Sequence, residues 1–144
     1  MIKTKKGLDL PISGNPSMDL DTSTAINSVA VLGADYIGLK PTMMVEEGDT
    51  VSSGQKLFEN KKNPGTYITA HSSGIIKSIN RGEKRRFLSL VIETNDSLDP
   101  IKFNLNDYSN SIEFLIDSGA LAYFRTRPYN RMPIPTELPS AIFV

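Results

Sequence analysis

The chain has 144 residues and carries 16 basic and 16 acidic side chains, so its formal net charge is zero. A balanced charge argues against a nucleic-acid-binding protein, whose affinity rests on a net basic surface. The absence of cysteine excludes disulfides, thiolate metal sites, Fe–S ligation by this chain and a cysteine nucleophile. No apolar run is long enough to span a membrane, and the N-terminus lacks the apolar core of a signal peptide. A cytoplasmic location is the default expectation.

Residues 1–26 are predicted to form an N-terminal extension. Residues 1–12 indicate a short strand, a glycine turn and an extended proline segment, and residues 13–24 have the composition of a loop. Three lysines near the start are interpreted as a solvated end rather than an anion-binding patch: Lys3, Lys5 and Lys6.

Two short strands are predicted next, at Asn27–Leu32 and Tyr36–Leu39, with a turn at Gly33-Ala34-Asp35 between them. Pro41 has no backbone N–H to donate to a ladder. The region around it should therefore lie at a sheet edge or a bend.

The central stretch from residue 44 to residue 93 is a run of short apolar segments separated by turn residues, which is typical of an all-β barrel or sandwich. The pattern V-x-x-G-D-x-V-x-x-G-Q-x-L begins at Val45, and A-x-x-S-G-x-I-x-x-I begins at Ala70. This order is typical of a lipoyl- or biotinyl-like domain, a barrel-sandwich hybrid in which two sets of strands interlock. We assign this domain to residues 27–98.

Two glycines should fix the turns in the first of these patterns. Gly48 and Gly54 stand where the backbone needs a positive φ, which costs glycine little and β-branched residues much. With those turns formed, Val45, Val51 and Leu57 can point into one core. Asp49, directly after Gly48, is expected to cap its turn.

The carrier form of this fold presents a modified lysine at a hairpin tip, which corresponds here to Glu59–Gly65. Lys61 and Lys62 lie in this loop, but the Asp-Lys-Ala or Met-Lys-Met context of a modified lysine is missing. A solvated basic loop is therefore favoured. A carrier module with a modified lysine remains the alternative, and an intact-mass measurement would distinguish the two.

Residues 99–144 are predicted to contain a strand, a helix and an irregular loop. Ile101, Phe103 and Leu105 alternate with polar residues, as in a strand. Apolar residues then recur at helical spacing, which predicts a helix over residues 110–119. Asn110 with a glutamate three residues later resembles a capping box, and Gly119 can end the helix.

The segment after the helix is rich in arginine, aromatic residues and proline, and its prolines prevent regular structure over residues 121–135. From Pro139 to Val144 the sequence predicts a buried strand at the start of a further domain, as if the chain were a fragment of a longer protein. An unmet sheet edge there would favour self-association.

Four stretches resemble the A-type subunit of the sodium-translocating NADH:quinone oxidoreductase, in the same order as in that family. Two of them are distinctive, because one contains NKKNPG and the other FRTRP. The chain departs from the family at Gly119-Ala120-Leu121, where Gly-Leu-Trp is common. The four stretches are KGLDLPISG (Lys6–Gly14), YIGLKPTMMVEEGDTVSSGQKLFENKKNPG (Tyr36–Gly65), INRGEKR (Ile79–Arg85) and SGALAYFRTRPYNRMP (Ser118–Pro133).

The resemblance implies a part in a bacterial respiratory complex of the inner membrane that oxidises NADH, reduces a quinone and pumps Na⁺. The A-type member of that complex is a peripheral subunit on the cytoplasmic side and is associated with quinone binding. The flavins and the Fe–S centre lie mainly on other subunits, so this chain is expected to bind no cofactor of its own. We expect it to work through assembly and quinone-side contacts, and to catalyse no turnover alone.

Two groups of residues are candidates for contacts with partners or quinone, and no catalytic or metal-binding residue is predicted. Arg125 and Arg127 lie two positions apart between aromatic residues. In an extended chain they could clamp a carboxylate or an acidic patch of a partner, while the rings contact a quinone or cover the guanidinium planes. Alternatively, they anchor the loop of residues 121–135 to the next domain. The candidates are Phe124, Arg125, Arg127 and Tyr129 in the loop, and Lys61, Lys62 and Asn63 at the hairpin tip.

The remaining polar motifs are interpreted as structural. His71, the only histidine, is predicted to be a polar turn residue, because one histidine makes neither a triad nor a metal site. A basic run is interpreted as a solvated turn, with salt-sensitive nucleic-acid binding as a weaker alternative. It consists of Arg81, Lys84, Arg85 and Arg86.

Overall fold

A computed structural model describes residues 13–95, 97–137 and 139–142. The strand predicted within residues 1–12 lies outside the described residues. Residues 13–24 form no helix or strand, as their loop-like composition predicts, and residues 13–27 are exposed throughout. The strand predicted from Asn27 begins at Ser28.

Antiparallel strands dominate the fold, and they form two sheets. The four-stranded sheet has the order β1-β7-β6-β3, and the three-stranded sheet has the order β2-β4-β5. The strands are β1 (Ser28–Leu32), β2 (Pro41–Met43), β3 (Thr50–Val51), β4 (Lys56–Asn60), β5 (Tyr67–Thr69), β6 (Gly74–Arg81) and β7 (Phe87–Thr94). The mainly β architecture predicted from the sequence is therefore confirmed.

The two sheets enclose one hydrophobic core. Phe58 and Phe87 meet edge to face at its centre, with ring centroids 5.2 Å apart. The core also takes in residues from beyond the strands, so the C-terminal part of the chain packs on the barrel. Its members are Val31, Tyr36, Val45, Val51, Leu57, Phe58, Ile68, Ala70, Ile76, Phe87, Leu90, Ile92, Ala122 and Met132.

The glycine turns of the central pattern form as predicted. Gly48 and Gly54 have φ of 93° and 88°, and the residues expected in the core, Val45, Val51 and Leu57, are all buried. The carboxylate of Asp49 accepts a hydrogen bond from the backbone N–H of Glu46 at 2.7 Å, which confirms its capping role.

The strand predicted at Tyr36–Leu39 is wrong. The N–H of Leu39 donates to the carbonyl of Tyr36 at 3.1 Å, and Gly38 has a φ of 78°, so the chain turns here instead of extending. The strand begins only at Pro41. As predicted from its missing N–H, Pro41 lies in an edge strand, β2.

The strand predicted over residues 101–105 is also absent. The N–H of Ile101 makes one bond to the carbonyl of Ser53 at 2.8 Å. The side chain of Asn104 then accepts a hydrogen bond from the N–H of Asn106 and starts a short 3-10 turn at Leu105–Asp107. This local cap replaces the ladder partner that a strand would need.

The single α-helix of the described residues, α1 (Ser111–Asp117), falls within the predicted range. The side chain of Asn110 caps it by accepting from the N–H of Glu113 at 2.9 Å. The reciprocal bond of the predicted capping box is displaced by one residue, because the Glu113 carboxylate accepts from the N–H of Ser109 at 3.1 Å. Gly119, with a φ of 75°, follows the helix and begins the 3-10 turn Ala120–Tyr123.

The buried strand predicted at the C-terminus does not form in the part that the structure describes. Residues 139–142 are exposed and belong to no strand. Phe143 and Val144 lie outside the described residues.

Candidate functional site

A C-terminal arm, residues 120–137, is packed against the barrel. Met132 and Ala122 reach the core and are buried there. The carboxamide of Asn63 at the β4–β5 tip donates to the carbonyl of Met132 at 3.4 Å, and Gly65 lies against the ring of Pro135. The arm is thus part of the folded domain and places its arginines beside the barrel.

Arg125 anchors the arm to the turn after β1. Its guanidinium donates to the carbonyls of Ala122 and Phe124 within the arm, and to the carbonyl of Asp35 at 3.2 Å across the interface. Its Cζ lies 5.6 Å from the centroid of the Tyr36 ring, within cation–π range. Arg125 therefore anchors the loop to the barrel, whereas the anchoring alternative predicted a contact with the next domain.

The phenol of Tyr36 is affected by this contact. Its burial, reinforced by the nearby Tyr123, raises the pKa of Tyr36 to about 12, and the positive charge of Arg125 opposes that shift. Tyr36 therefore remains a neutral phenol throughout the physiological pH range. The pKa of Tyr123 is also raised by burial.

An open groove of about 820 Å³ runs between α1, the arm and residues 139–142. We call it the arm groove. Its walls are mainly apolar, with the Arg125 and Arg127 side chains and Glu137 as the charged groups. The apolar wall is made by Ile112, Leu115, Leu121, Phe124, Ile134 and Ile142.

The four candidate residues of the loop are used differently. Phe124, Arg125 and Arg127 all line the arm groove. The Arg127 side chain is exposed, and no hydrogen bond or ion pair joins it to another described residue. Tyr129 lies outside the groove on a turn, 72% exposed, with the guanidinium of Arg131 5.7 Å from its ring centroid.

The lysines at the β4–β5 tip hold the hairpin through hydrogen bonds of their backbone N–H groups. The N–H of Lys61 donates to the carbonyl of Lys40 at 2.8 Å, and the N–H of Lys62 donates to the side chain of Asn60 at 3.3 Å. Both lysine side chains are exposed. Asn63 is turned towards the arm, so the structure brings this one tip residue to the loop that holds the arginines. A tip tied down in this way differs from the free tip of a carrier domain.

His71 and Tyr123 form a second link between barrel and arm. The Nε2 of His71 lies 2.7 Å from the phenol oxygen of Tyr123. The sequence placed His71 on a polar turn, which the structure confirms, but the partner 52 residues away was missed. No local pattern signals such a distant pair.

A third link joins α1 to the barrel through Asp117. Its carboxylate accepts from the ammonium of Lys56 at 2.6 Å and from the phenol of Tyr108 at 2.7 Å. The hydrogen bond from Lys56, followed by that from Tyr108, lowers the pKa of Asp117. The same bond raises the pKa of Tyr108, because the neutral phenol is the donor.

The chemistry offered by the site is recognition. The groove presents apolar surface and guanidinium donors, which suit a planar apolar molecule with carbonyl oxygens or an apolar segment with a carboxylate. Within the described ranges, no cluster of three or more histidine, aspartate or glutamate residues could hold a metal ion.

The fold and its pattern define the class of protein. The chain is a lipoyl-like barrel-sandwich hybrid whose carrier hairpin is docked against an additional arm. A family model described as the NqrA N-terminal barrel-sandwich hybrid domain matches residues 2–95. The chain therefore belongs to the NqrA family.

Curated relatives extend the similarity over the whole chain. Proteins of Yersinia pseudotuberculosis and Photorhabdus laumondii are 46% identical to it over 151 aligned residues, and one of Tolumonas auensis is 43% identical over 152. Each is named as the A-type subunit of the Na(+)-translocating NADH-quinone reductase. The alignments cover 100% of this chain and 34% of each relative, so the chain spans about a third of their length.

The family resemblance seen in the sequence is thereby confirmed. Membership of a complex with further subunits agrees with the name that the relatives share. Across the described ranges, every helix is too short or too polar to traverse a bilayer.

Proposed function

We propose that this domain works as an assembly and quinone-contact module in a Na⁺-translocating NADH:quinone reductase. In that complex it is peripheral, on the cytoplasmic side of the bacterial inner membrane, and other subunits are its partners. The observation that supports this role is the arm groove, an open and mainly apolar cleft with two arginines in its lining, in a domain similar to the NqrA relatives.

The groove suits a quinone in two respects. A quinone has a planar apolar ring and a long apolar tail, which Phe124 and the aliphatic wall can cover. Its carbonyl oxygens accept hydrogen bonds, and Arg127 offers several donors at the rim. The NADH, flavins and Fe–S centre of the reaction belong to other parts of the complex, and this domain alone is expected to oxidise no NADH.

Photo-crosslinking with an azido-quinone on the complete complex tests the quinone contact. Label on residues 121–127 or 133–142 supports the proposal. Phe124→Ala and Arg127→Gln should each reduce the labelling several-fold. Tyr129→Ala and Arg131→Gln remove the same kinds of side chain outside the groove and should leave the labelling unchanged. Label that maps elsewhere, or that ignores the groove variants, contradicts the quinone contact.

Assembly is tested separately by copurification. Ile134→Asp places a charge in the apolar wall of the groove and should release the NqrA chain from the complex if a partner protein packs there. Tyr129→Asp is the exposed control. Retention of the Ile134→Asp chain in an intact complex would assign the groove to a ligand and not to assembly.

The isolated domain is expected to self-associate at high concentration, because the apolar groove wall is then uncovered. The C-terminal strand edge that first suggested this outcome is not seen in residues 139–142. Light scattering over a range of concentrations measures it. A strictly monomeric species at millimolar concentration would contradict it.

A further inference from the structure

We propose that the tip of the β6–β7 hairpin, residues 81–88, is a binding element for an anionic phospholipid surface. We call it the basic tip. The basic tip shares no residue with the lining of the arm groove, and its binding would be independent of what the groove binds.

The basic tip contains four positively charged residues, although the formal net charge of the chain is zero. Its four cations are all exposed, and the only acidic residue within the tip is Glu83. The ion pairs of the described residues, Lys56–Asp117 and Lys77–Glu93, involve none of these cations. The four are Arg81, Lys84, Arg85 and Arg86.

The backbone of the tip is unusual for the residues it holds. The N–H of Arg86 closes a four-residue turn on the carbonyl of Glu83 at 3.1 Å. The two central residues, Lys84 and Arg85, have positive φ values of 54° and 60°. These are the backbone signs of a type I′ hairpin turn, in which asparagine and glycine are strongly favoured. Long cationic side chains therefore occupy positions where local conformational preference opposes them.

Exposed apolar side chains lie at the same end of the sheet. Leu88 follows the tip on β7 and is 46% exposed. Leu32 at the end of β1 is equally exposed and is paired with Ser89, the residue after Leu88. A few apolar side chains beside a cluster of lysine and arginine are the combination that binds the headgroup region of a bilayer.

The shape of the element favours a flat partner. The four cations are exposed at one end of a two-stranded hairpin, and none of them lines the arm groove. Against a bilayer, several guanidinium groups can reach lipid phosphates at once, and arginine binds phosphate in a bidentate manner.

Vesicle sedimentation of the 144-residue protein tests the proposal. At low salt the protein should bind vesicles of phosphatidylcholine and phosphatidylglycerol, and not vesicles of phosphatidylcholine alone. Binding should weaken sharply in about 0.5 M NaCl, because exposed charges are then screened. Equal binding to both kinds of vesicle, or to neither, would overturn the proposal.

A matched pair of double variants locates the binding. The double variant Lys84→Asn with Arg85→Asn removes two charges and introduces asparagines, which tolerate positive φ. It should reduce the partition coefficient of the protein onto the vesicles about 25-fold. Lys61→Asn with Lys62→Asn removes two charges from the β4–β5 tip and should change the partition less than about twofold. Equal loss in both variants would show that general charge drives the binding, and would contradict a specific role for the basic tip. Circular dichroism checks that both variants are folded.

Discussion

The two hairpin tips of the barrel are built from similar residues and are used in opposite ways. The β4–β5 tip, residues 61–66, contains two adjacent lysines. Its backbone is tied to the side chains of Asn60 and Glu59, and the side chain of Asn63 ties it to the arm. The basic tip also contains adjacent cations. Phe87 enters the core, but the backbone hydrogen bonds that join Gly82, Glu83, Arg85 and Arg86 stay within the turn. Similar cationic turns can thus serve as an anchored structural joint or as a free charged surface. The difference lies in what packs on them.

The arm is what distinguishes this domain from a carrier domain. In a carrier the equivalent tip must remain free, so that its modified lysine can move between sites. Here Asn63 bonds to Met132 and Gly65 touches Pro135. The tip is therefore part of the interface between barrel and arm, and any contact made by Lys61 or Lys62 would be made from a fixed position.

The largest expected loss of stability comes from a substitution at the base of the β6–β7 hairpin, at the end opposite the basic tip. A Cβ on Gly74 would overlap the carbonyl oxygen of Glu93 and would lie 2.9 Å from a methyl of Ile92. Backbone atoms of a central strand cannot yield easily, so Gly74→Ala should destabilise the protein by about 3 kcal/mol or more. Chemical denaturation measures it.

Gly82 at the other end of the same hairpin is the control for that substitution. A Cβ there would meet only the flexible end of Leu88, at 3.2 Å. Gly82→Ala should therefore cost less than about 1 kcal/mol. Equal losses for the two alanine variants would mean that the close approach of Gly74 to Glu93 does not limit the pairing.

The next largest loss of stability is expected from a substitution that removes hydrogen bonds at the β4–β5 tip. The Oδ1 of the buried Asn60 accepts from the N–H groups of Lys40 and Lys62. Asn60→Ala leaves two backbone donors without this acceptor and should cost about 1–3 kcal/mol. Asn80, exposed on β6, bonds only to serine side chains. The control variant Asn80→Ala should therefore change stability by less than about 0.5 kcal/mol. A small loss for Asn60→Ala would show that the tip is held mainly by its other contacts, to Lys40, Glu59 and the arm.

Substitutions at the basic tip should relieve the strain of its two positive-φ residues, Lys84 and Arg85. Left-handed conformations cost non-glycine residues about 1–2 kcal/mol each, while glycine and asparagine carry little of that penalty. Lys84→Asn with Arg85→Gly should therefore raise the free energy of unfolding by about 1 kcal/mol after the entropic cost of the added glycine. A gain in thermal stability accompanied by loss of vesicle binding would show that Lys84 and Arg85 lower the stability of the fold but are needed for binding.

The same change at the anchored tip is the comparison. Lys61 and Lys62 are not among the positive-φ positions of the described residues, so asparagine and glycine relieve no strain there. Lys61→Asn with Lys62→Gly should be neutral or destabilising by about 0.5–1 kcal/mol. Stabilisation of both tips alike would indicate an effect on the unfolded chain and not on the turns.

Local rules were enough to predict the barrel from the sequence. The turns at Gly48 and Gly54 depend on backbone geometry at single residues, and they fix which face of each strand is buried. Val45, Val51 and Leu57 were therefore placed correctly in the core. Apolar and polar residues alternate over residues 101–105, but no strand forms there. A strand must pair with a neighbouring strand through a series of backbone hydrogen bonds, whereas Ile101 makes a single bond, to the carbonyl of Ser53.

The composition of the arm drew attention to its arginine and aromatic residues, but it could not predict their contacts. The arginine and aromatic content of the arm singled out Phe124, Arg125 and Arg127, which all reach the groove. The bond from Arg125 to Asp35 joins residues 90 positions apart, and the contact of His71 with Tyr123 is similarly remote. Such pairs arise from how the arm packs on the barrel, so no periodicity along the chain signals them.

The smallest expected effect is the pH dependence of the link between α1 and the barrel. The Lys56 and Tyr108 hydrogen bonds hold the pKa of Asp117 below its usual value of 3.8. A carboxylate with a lowered pKa in the folded state stabilises the fold above its ordinary pKa, and the contribution is lost as the pH falls through the folded value. The loss should therefore be confined to the region below about pH 4. Since the Asp117 side chain is 46% exposed, the contribution is limited to about 0.2–1 kcal/mol.

Melting temperatures of Asp117→Asn and of the unmodified protein at about pH 7 and about pH 3 measure this contribution. The variant should be slightly less stable at neutral pH, and the difference should shrink in acid, where the carboxylate of the unmodified protein is becoming protonated. Asp107→Asn, on the exposed 3-10 turn before α1, should match the unmodified protein at neutral pH. A difference for Asp117→Asn that is the same at both pH values would show that its charge does not hold α1 on the barrel. The arm would then be held by Arg125, Asn63, the contact of Tyr123 with His71 and its buried residues.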